Sequence, residues 1–168
     1  MNRLVGMLLL CALMLSGCRW EKKEAAKNGE AAETAATAKN DLPFMPIALT
    51  DGTVANAKDF KGKNILILFQ PDCDHCQHEA EDIEKQLADF KDYKLYFVSA
   101  APMPEIEKFA MTYRLKDKEN VVFGNTAAEN VLNHFGPIPA PSIYIYNDQT
   151  LKKSFEGQTD VNEIVSSL

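Results

Sequence analysis

The sequence has little that would support a disulfide scaffold, a nucleotide site or a surface for polyanions. Its 168 residues contain four cysteines, too few for the framework of bridges that stabilises small secreted domains. Walker loops, GxGxxG motifs and repeats of fixed period are missing, which excludes the protein classes that those patterns mark. Eighteen basic residues against twenty-four acidic ones give a net charge of −6, which disfavours nucleic acid and anionic membrane surfaces as partners. The length and a hydrophobic fraction of 46% favour one globular domain.

The N-terminus has no run long enough to cross a bilayer and instead shows the pattern of a secretion signal. Arg3 precedes an apolar run from Leu4 to Leu15, which is shorter than the roughly 20 residues that a spanning helix needs. The following Leu15-Ser16-Gly17-Cys18 resembles a bacterial lipobox, in which the cysteine is lipidated and becomes the new N-terminus. Residues 1–17 are therefore predicted to be a lipoprotein signal peptide and Cys18 the lipidation site. An ordinary signal peptide with a chance cysteine is the alternative.

The segment after Cys18 is predicted to be a tether. Residues 18–41 are rich in Ala, Lys and Glu and poor in large apolar side chains, so they cannot bury enough surface to fold alone. The folded domain is predicted to cover residues 42–168. We expect the mature protein in the cell envelope, anchored to a membrane through its lipid and facing the periplasm.

The folded domain alternates predicted strands and helices. A short apolar run in "FMPIALTDGTV" ends at the turn signal Asp51-Gly52. Predicted strands follow at 64–69, 94–100, 120–124, 142–146 and 151–157, and predicted helices at 73–91, 103–115, 127–136 and 160–168, the last capped by Asp160. The last two strands form a hairpin across "NDQT". This order predicts an α/β fold with a central mixed β-sheet flanked by helices on both faces.

Cys73 and Cys76 are the only cysteines left in the predicted mature domain, because Cys11 leaves with the signal peptide and Cys18 carries lipid. Cys73 follows a buried strand and opens a helix, where unpaired N–H groups and the helix dipole stabilise a thiolate. Cys76 lies in the apolar stripe of that helix and is expected to be shielded. An exposed attacking cysteine and a buried resolving cysteine are what thiol–disulfide exchange requires.

At this point the sequence resembles the thioredoxin superfamily, and in particular its membrane-anchored TlpA/ResA-type branch. The resemblance depends on "LTDG…DFKGKNILILF", on Cys73-Asp74-His75-Cys76 between a strand and a helix, and on "IPAPSIYIY". It implies a thioredoxin-like fold, a redox-active disulfide between Cys73 and Cys76, and no cofactor. It also implies a cis-proline at Pro141, which with Ala140 holds the substrate backbone; three ordinary loop prolines are the alternative.

Glu79 and His75 are the candidates for handling protons. Similar branch members have an acid at the position of Glu79, and a partly buried carboxylate with a raised pKa can act as a general base. A first-turn glutamate favoured only by the helix dipole is an equal alternative. Asp72 and Asp74 disfavour a thiolate at Cys73 and a protonated His75 favours it, so the direction of electron flow stays open.

Two features depart from the thioredoxin pattern. Asp72 stands where the family usually has an aromatic residue, and Ile67 stands near the position of thioredoxin's buried aspartate. The branch resemblance implies a reductase of protein disulfides, supplied with electrons by a membrane redox partner, with cytochrome c maturation as one process it would serve. The expected partners are disulfide-containing extracytoplasmic proteins, the electron donor and the membrane; nucleic acid is not expected.

Two other functions compete with disulfide exchange. A Cu or Zn metallochaperone could use Cys73 and Cys76 together with His75 or His78 as ligands. However, His78 points about 200° away from Cys76 on the same helix. We therefore expect no metal site. A thiol peroxidase would need a hydroxyl shortly before the cysteine and a nearby arginine. Residues 67–72 supply no hydroxyl and place an acid beside Cys73.

Overall fold

The structure is a computed structural model that describes residues 40–168. The predicted signal peptide, Cys18 and the predicted tether up to residue 39 lie outside the described residues. A seven-stranded sheet forms the centre of the described part. No helix in the range 40–168 is long and apolar enough to cross a membrane.

The sheet is mixed, as predicted. Its strands are β1 (Pro46–Leu49), β2 (Val54–Asn56), β3 (Lys63–Leu68), β4 (Lys94–Ser99), β5 (Val121–Asn125), β6 (Ser142–Asn147) and β7 (Thr150–Glu156), in the spatial order β2-β1-β5-β4-β3-β6-β7. Strands β3, β4 and β5 are parallel. The β1–β2, β1–β5, β3–β6 and β6–β7 pairs are antiparallel, so the predicted C-terminal hairpin is present.

Within residues 40–168, three α-helices connect strands and a fourth follows β7, and all four begin within one residue of the predicted position. They are α1 (Asp74–Lys85), α2 (Met103–Thr112), α3 (Ala128–Phe135) and α4 (Val161–Val165). The helix predicted over 73–91 is wrong in its second half, because Gln86 has φ −113° and ψ 22° and breaks the α-helix. Leu87–Phe90 continues as a short 3₁₀ turn.

Each face of the sheet carries its own hydrophobic core. Side chains of β3 alternate between the two cores, with Ile65 and Ile67 on one face and Leu66 and Leu68 on the other. This alternation explains why β3 is apolar at successive positions. Apolar residues from α1, α2 and α4 pack on the first face, and α3 with the segment preceding β1 packs on the second. The prediction of helices on both faces is therefore confirmed.

Candidate active site

Cys73 lies at the junction between β3 and α1. The chain turns after the strand, and the Cys73 N–H donates to the Gln70 carbonyl at 3.2 Å. Cys73 is the N-cap residue of α1, and its Sγ accepts from the Cys76 N–H at 3.4 Å. The thiol is half-buried. Cys73 therefore lies at a helix N-terminus, where backbone N–H groups without intrahelical partners are available to its sulfur.

Cys76 lies inside the protein, with 2% of its surface exposed. Its Sγ accepts from the Gln70 N–H at 3.5 Å. Burial, the neighbouring Cys73 sulfur and the charge of Glu79 together raise the pKa of the Cys76 thiol to about 12, although the Gln70 hydrogen bond opposes the shift. Both cysteines are in the thiol form. Cys76 therefore remains protonated until a neighbouring group takes its proton.

Glu79 is also buried, with 2% of its surface exposed. The sequence predicted a partly buried carboxylate at this position, so the structure corrects that expectation. Its Oε2 accepts from the Thr159 N–H at 2.9 Å, whereas its Oε1 is buried without a hydrogen-bond partner. Burial raises the pKa of Glu79 from 4.5 to about 7, although the Thr159 hydrogen bond opposes the shift. A carboxyl group with this pKa can accept and return a proton near neutral pH.

The loop before β6 brings its backbone to the nucleophile. The peptide bond between Ala140 and Pro141 is cis, as the family resemblance implied. The Cys73 thiol lies 3.5 Å from the Ala140 carbonyl oxygen. Ser142, which is completely buried, donates from its hydroxyl to the Pro139 carbonyl at 2.7 Å and fixes the loop. A substrate polypeptide bound at Cys73 would therefore lie against Ala140.

His75 is exposed on the first turn of α1, and its ring contacts another element. Nδ1 lies 2.7 Å from Oε1 of Gln158 in the loop between β7 and α4. The next residue of that loop, Thr159, supplies the hydrogen bond to Glu79. The loop thus contacts both residues that were predicted to handle protons.

The loop between β7 and α4 was not identified as part of the site from the sequence. Gly157 and the N-cap residue Asp160 mark a loop there, but no local pattern places Thr159 beside a residue 80 positions earlier. The Gly157 N–H donates to the Pro141 carbonyl at 2.8 Å. The loop is therefore hydrogen-bonded to the cis-proline, which directly precedes β6, as well as to α1.

Potential metal ligands do not form a cluster of three in the described part of the chain. Within residues 40–168, no group of three or more His, Cys, Asp or Glu side chains converges on a point that could hold an ion. The His75 ring is directed to Gln158. A metal bound at the dithiol would therefore depend on the two sulfur atoms.

Comparisons with solved structures identify the fold. A secreted Mycobacterium tuberculosis disulfide oxidoreductase homologous to E. coli DsbE aligns with a TM-score of 0.63 and 15% identity, covering 74% of this chain and 93% of that one. StoA from Bacillus subtilis aligns with a TM-score of 0.54 and 16% identity, covering 73% of this chain and 93% of that one. Arabidopsis thaliana ScoI with copper bound aligns with a TM-score of 0.57 and 13% identity, covering 73% of this chain and 94% of that one. The predicted thioredoxin-like fold is confirmed by these alignments.

The sequence comparisons give the family. None of the curated proteins matches the chain. The model of the AhpC/TSA family matches residues 34–151, a range that includes β1 to β6, the dithiol and the cis-proline. This match supports the prediction of a thioredoxin-like oxidoreductase, and the chain belongs to the AhpC/TSA family.

Proposed function

We propose that this protein is a protein thiol–disulfide oxidoreductase in which Cys73 attacks and Cys76 resolves. The observation that carries the proposal is the unequal placement of the two thiols. Cys73 caps α1 and is half-buried, whereas Cys76 is buried. Glu79 is buried on the same helix face, with one oxygen that has no partner.

The first step forms a mixed disulfide. The Cys73 thiolate attacks one sulfur of the substrate disulfide while the substrate backbone lies against Ala140. A bond forms between Cys73 and that sulfur, the substrate disulfide breaks, and the other substrate sulfur leaves with the electron pair and takes up a proton. The N-terminus of α1 stabilises the thiolate that starts this step.

The second step releases the substrate. Cys76 has to lose a proton first, and we assign the acceptance of this proton to Glu79, which is buried one helical turn further along α1. The Cys76 thiolate attacks the Cys73 sulfur and forms the Cys73–Cys76 disulfide. The bond between Cys73 and the substrate breaks as this bond forms, and the substrate sulfur leaves with the electron pair and takes up a proton. The substrate has gained two electrons, and an external dithiol donor must return two electrons to the protein.

An insulin-reduction assay tests the exchange chemistry. We expect wild-type protein with a dithiol donor to reduce insulin, the Cys73→Ser variant to be inactive, and the Cys76→Ser variant to accumulate a mixed disulfide through Cys73. Equal rates for wild type and Cys73→Ser would falsify the proposal. Residues 40–168 contain no other cysteine than this pair, so any trapped adduct in the folded domain identifies its attachment site.

We further propose that the protein acts as a reductase in the cell envelope, anchored through Cys18 and supplied by a membrane redox partner. The support is the lipobox pattern and the branch resemblance, which also assigns cytochrome c maturation as one process that it serves. The reduction potential of the pair tests the direction. A value of about −270 mV is expected for a reductant, and a value of about −120 mV would instead indicate an oxidant.

The surroundings of Cys73 do not favour a thiol peroxidase. The arginine of the folded domain, Arg114, lies at the end of α2, where it pairs with Glu84 at 2.9 Å. The turn before Cys73 contributes Gln70, Pro71 and Asp72 and no hydroxyl group. We therefore expect peroxide turnover far below the rate of disulfide exchange, and efficient peroxide reduction by the wild type would reverse this ranking.

A further inference from the structure

The two ends of the central sheet differ in charge. Strand β3 runs from Lys63 toward the dithiol, and its six residues span roughly 20 Å at about 3.3 Å per residue. At the dithiol end, the carboxylates of Asp72, Asp74 and Asp160 are exposed. The whole-chain charge of −6 therefore does not describe every part of the surface.

The opposite end of the sheet carries an open cleft lined by lysines. The cleft lies where β3, β4 and β5 begin, and its four lysines are all exposed: Lys61, Lys63, Lys91 and Lys94. We call these four residues the lysine cluster. The carboxylates that line the same cleft belong to Asp92 and Glu119. Four lysines against two carboxylates leave a local excess of positive charge.

The lysine cluster is available to an external anion. Within residues 40–168, the lysine and arginine side chains that form ion pairs are those of Lys85 and Arg114, which lie outside the cluster. The Nζ atom of Lys63 lies 5.2 Å from the centre of the Tyr93 ring. Lysine side chains can keep their aliphatic parts on the protein while the ammonium groups reach a polar partner.

The predicted tether joins the domain at this same end. The Asp41 N–H donates to the carbonyl of Gln149, in the turn between β6 and β7, at 2.8 Å. In that turn, the Asp148 N–H donates to the Gly62 carbonyl at 3.0 Å, and Gly62 lies between two lysines of the cluster. The predicted tether of residues 18–41 therefore ends beside the lysine cluster and at the far end of β3 from the dithiol.

We propose that the lysine cluster contacts anionic phospholipid headgroups of the membrane to which the protein is tethered, so that the dithiol faces away from the bilayer. Basic side chains beside an anionic leaflet are attracted to it, whereas the carboxylates around the dithiol are repelled. A tether makes the contact intramolecular, with an effective concentration on the order of millimolar, so a cluster of modest charge is sufficient. The orientation rests on the proposed anchor, but the attraction of the cluster to headgroups does not.

The test places full-length protein, held by its own N-terminus, in lipid nanodiscs that contain a nitroxide on a fraction of the headgroups. The nitroxide enhances the relaxation of nearby amide protons, and the effect falls steeply with distance. In phosphatidylcholine discs that include phosphatidylglycerol, we expect the enhancement at the Lys63 and Lys94 amides to exceed that at the Cys73 amide by about tenfold or more, because β3 separates them by roughly 20 Å.

The lipid and the salt concentration then show whether charge is responsible. Discs of phosphatidylcholine alone should give a several-fold smaller enhancement at Lys63 and Lys94. Raising the salt concentration from about 0.01 M to about 1 M shortens the Debye length from about 30 Å to about 3 Å, and it should have the same effect. Equal enhancement in anionic and zwitterionic discs would overturn the proposal.

A pair of charge-reversed variants locates the contact. The double substitution Lys61→Glu and Lys91→Glu should remove the enhancement in anionic discs. The matched control is Lys108→Glu with Lys116→Glu, which changes the charge equally at exposed positions outside the cleft and should retain the enhancement. Equal results for the two double variants would contradict a contact through the lysine cluster. Both should reduce insulin like the wild type in detergent, so disulfide exchange is measured separately.

Failure of the anchor is distinguished from failure of the cluster. If the protein is recovered without a membrane, the proposed anchor fails, and the anionic discs are then added to the soluble protein in excess. The Lys63 and Lys94 amides should still be the ones with enhanced relaxation, and Lys61→Glu with Lys91→Glu should abolish the effect. Enhancement that is absent or uniform over the domain would overturn the lysine cluster as a headgroup site.

Discussion

Cys76 and Glu79 lie one helical turn apart on the buried face of α1. Each is 2% exposed, and burial is the largest cause of the raised pKa of both groups. The negative charges of the two ionised side chains repel each other, so the buried pair favours states with at most one negative charge. In the proposed resolving step, transfer of the Cys76 proton to Glu79 Oε1, which has no hydrogen-bond partner, leaves the total charge of the buried pair unchanged.

Replacing Glu79 by Gln should change how stability depends on pH. The pKa of Glu79 is raised in the folded protein from 4.5 to about 7, so the folded state binds more protons than the unfolded state between these values. The contribution of Glu79 to the free energy of unfolding is complete below about pH 4.5 and is lost as the pH rises through about 7. We expect the wild-type free energy of unfolding to fall by up to roughly 3 kcal/mol relative to Glu79→Gln over this window. Urea titrations at several pH values measure the difference.

The control for that measurement is Glu81→Gln. Glu81 lies on the same helix but is exposed. Its variant should follow the wild-type pH dependence, since the removed carboxylate is not desolvated. Parallel curves for wild type and Glu79→Gln would contradict the burial argument.

Glu79→Gln should also slow the resolving step without slowing the attack by Cys73. General-base catalysis contributes on the order of 10²–10⁴, and we expect at least a hundredfold slower release of substrate from the mixed disulfide. In the wild type, the release rate should rise with pH through about 7 as Glu79 becomes ionised, and the variant should lack this inflection. Rapid-quench measurement of the mixed disulfide separates the two steps. An unchanged release profile would show that Glu79 has only a structural role.

At the residue scale, the sequence predicted which residues form the candidate site better than it predicted their burial and contacts. The spacing of Cys73, Cys76 and Glu79 along one helix is a local property, so periodicity and family resemblance were enough to find them. The depth of Glu79 was underestimated because burial depends on the loop that covers it. The partner of His75, Gln158, comes from that same loop, and no short-range pattern indicates it.

At the scale of elements, helix α4 holds the loop that reaches the active site. Its N-cap residue Asp160 accepts from the Asn162 N–H at 2.9 Å, as the sequence predicted. The residue before the cap is Thr159, the donor to Glu79. The start of α4 therefore fixes the position of a hydrogen bond in the active site.

Removing the cap should loosen this connection. We expect Asp160→Ala to lower the free energy of unfolding by about 1 kcal/mol and to increase hydrogen exchange at the Thr159 amide. Asp160→Asn is the matched variant, because Asn caps about as well as Asp, and it should retain protection at Thr159. Hydrogen exchange followed by NMR gives both quantities. Equal protection in the Ala and Asn variants would mean that the cap does not hold the loop.

The boundaries of the elements show where local prediction stops. The continuous apolar run of β3 and the stripe of α1 were predictable because each follows the period of its own structure. The end of α1 was not predictable, because residues after Gln86 keep an apolar pattern although the backbone leaves the α-helix there. The short strand β2 was also missed, because three residues after the turn at Asp51-Gly52 give too little pattern.

At the scale of the whole molecule, the sheet order places the dithiol at the end of an interior strand. Strand β3 lies between β4 and β6, and the carboxyl end of a central parallel strand is where α/β sheets usually bind ligands. Alternation of elements predicted a mixed sheet, but not that β5 would lie between β1 and β4. That order depends on pairings between residues far apart in the chain. The contact of the loop from Pro139 with Cys73, and that of the loop from Gly157 with His75 and Glu79, depend on the same long-range packing.

The whole-molecule proposal of a lipid anchor is tested by comparing two cysteines outside the described residues. In the proposed lipoprotein, Cys18 carries the acyl chains, which each contribute about 0.8 kcal/mol per buried CH₂, whereas Cys11 lies in the apolar run that is removed. We expect Cys18→Ser to lose incorporation of a fatty-acid probe and to leave the membrane fraction. Cys11→Ser, the matched control, should be labelled and sedimented like the wild type. Both variants retain Cys73 and Cys76, so both should reduce insulin at the wild-type rate in detergent extracts. Persistent labelling of Cys18→Ser would refute the anchor while leaving the dithiol chemistry intact, because the two proposals depend on different cysteines.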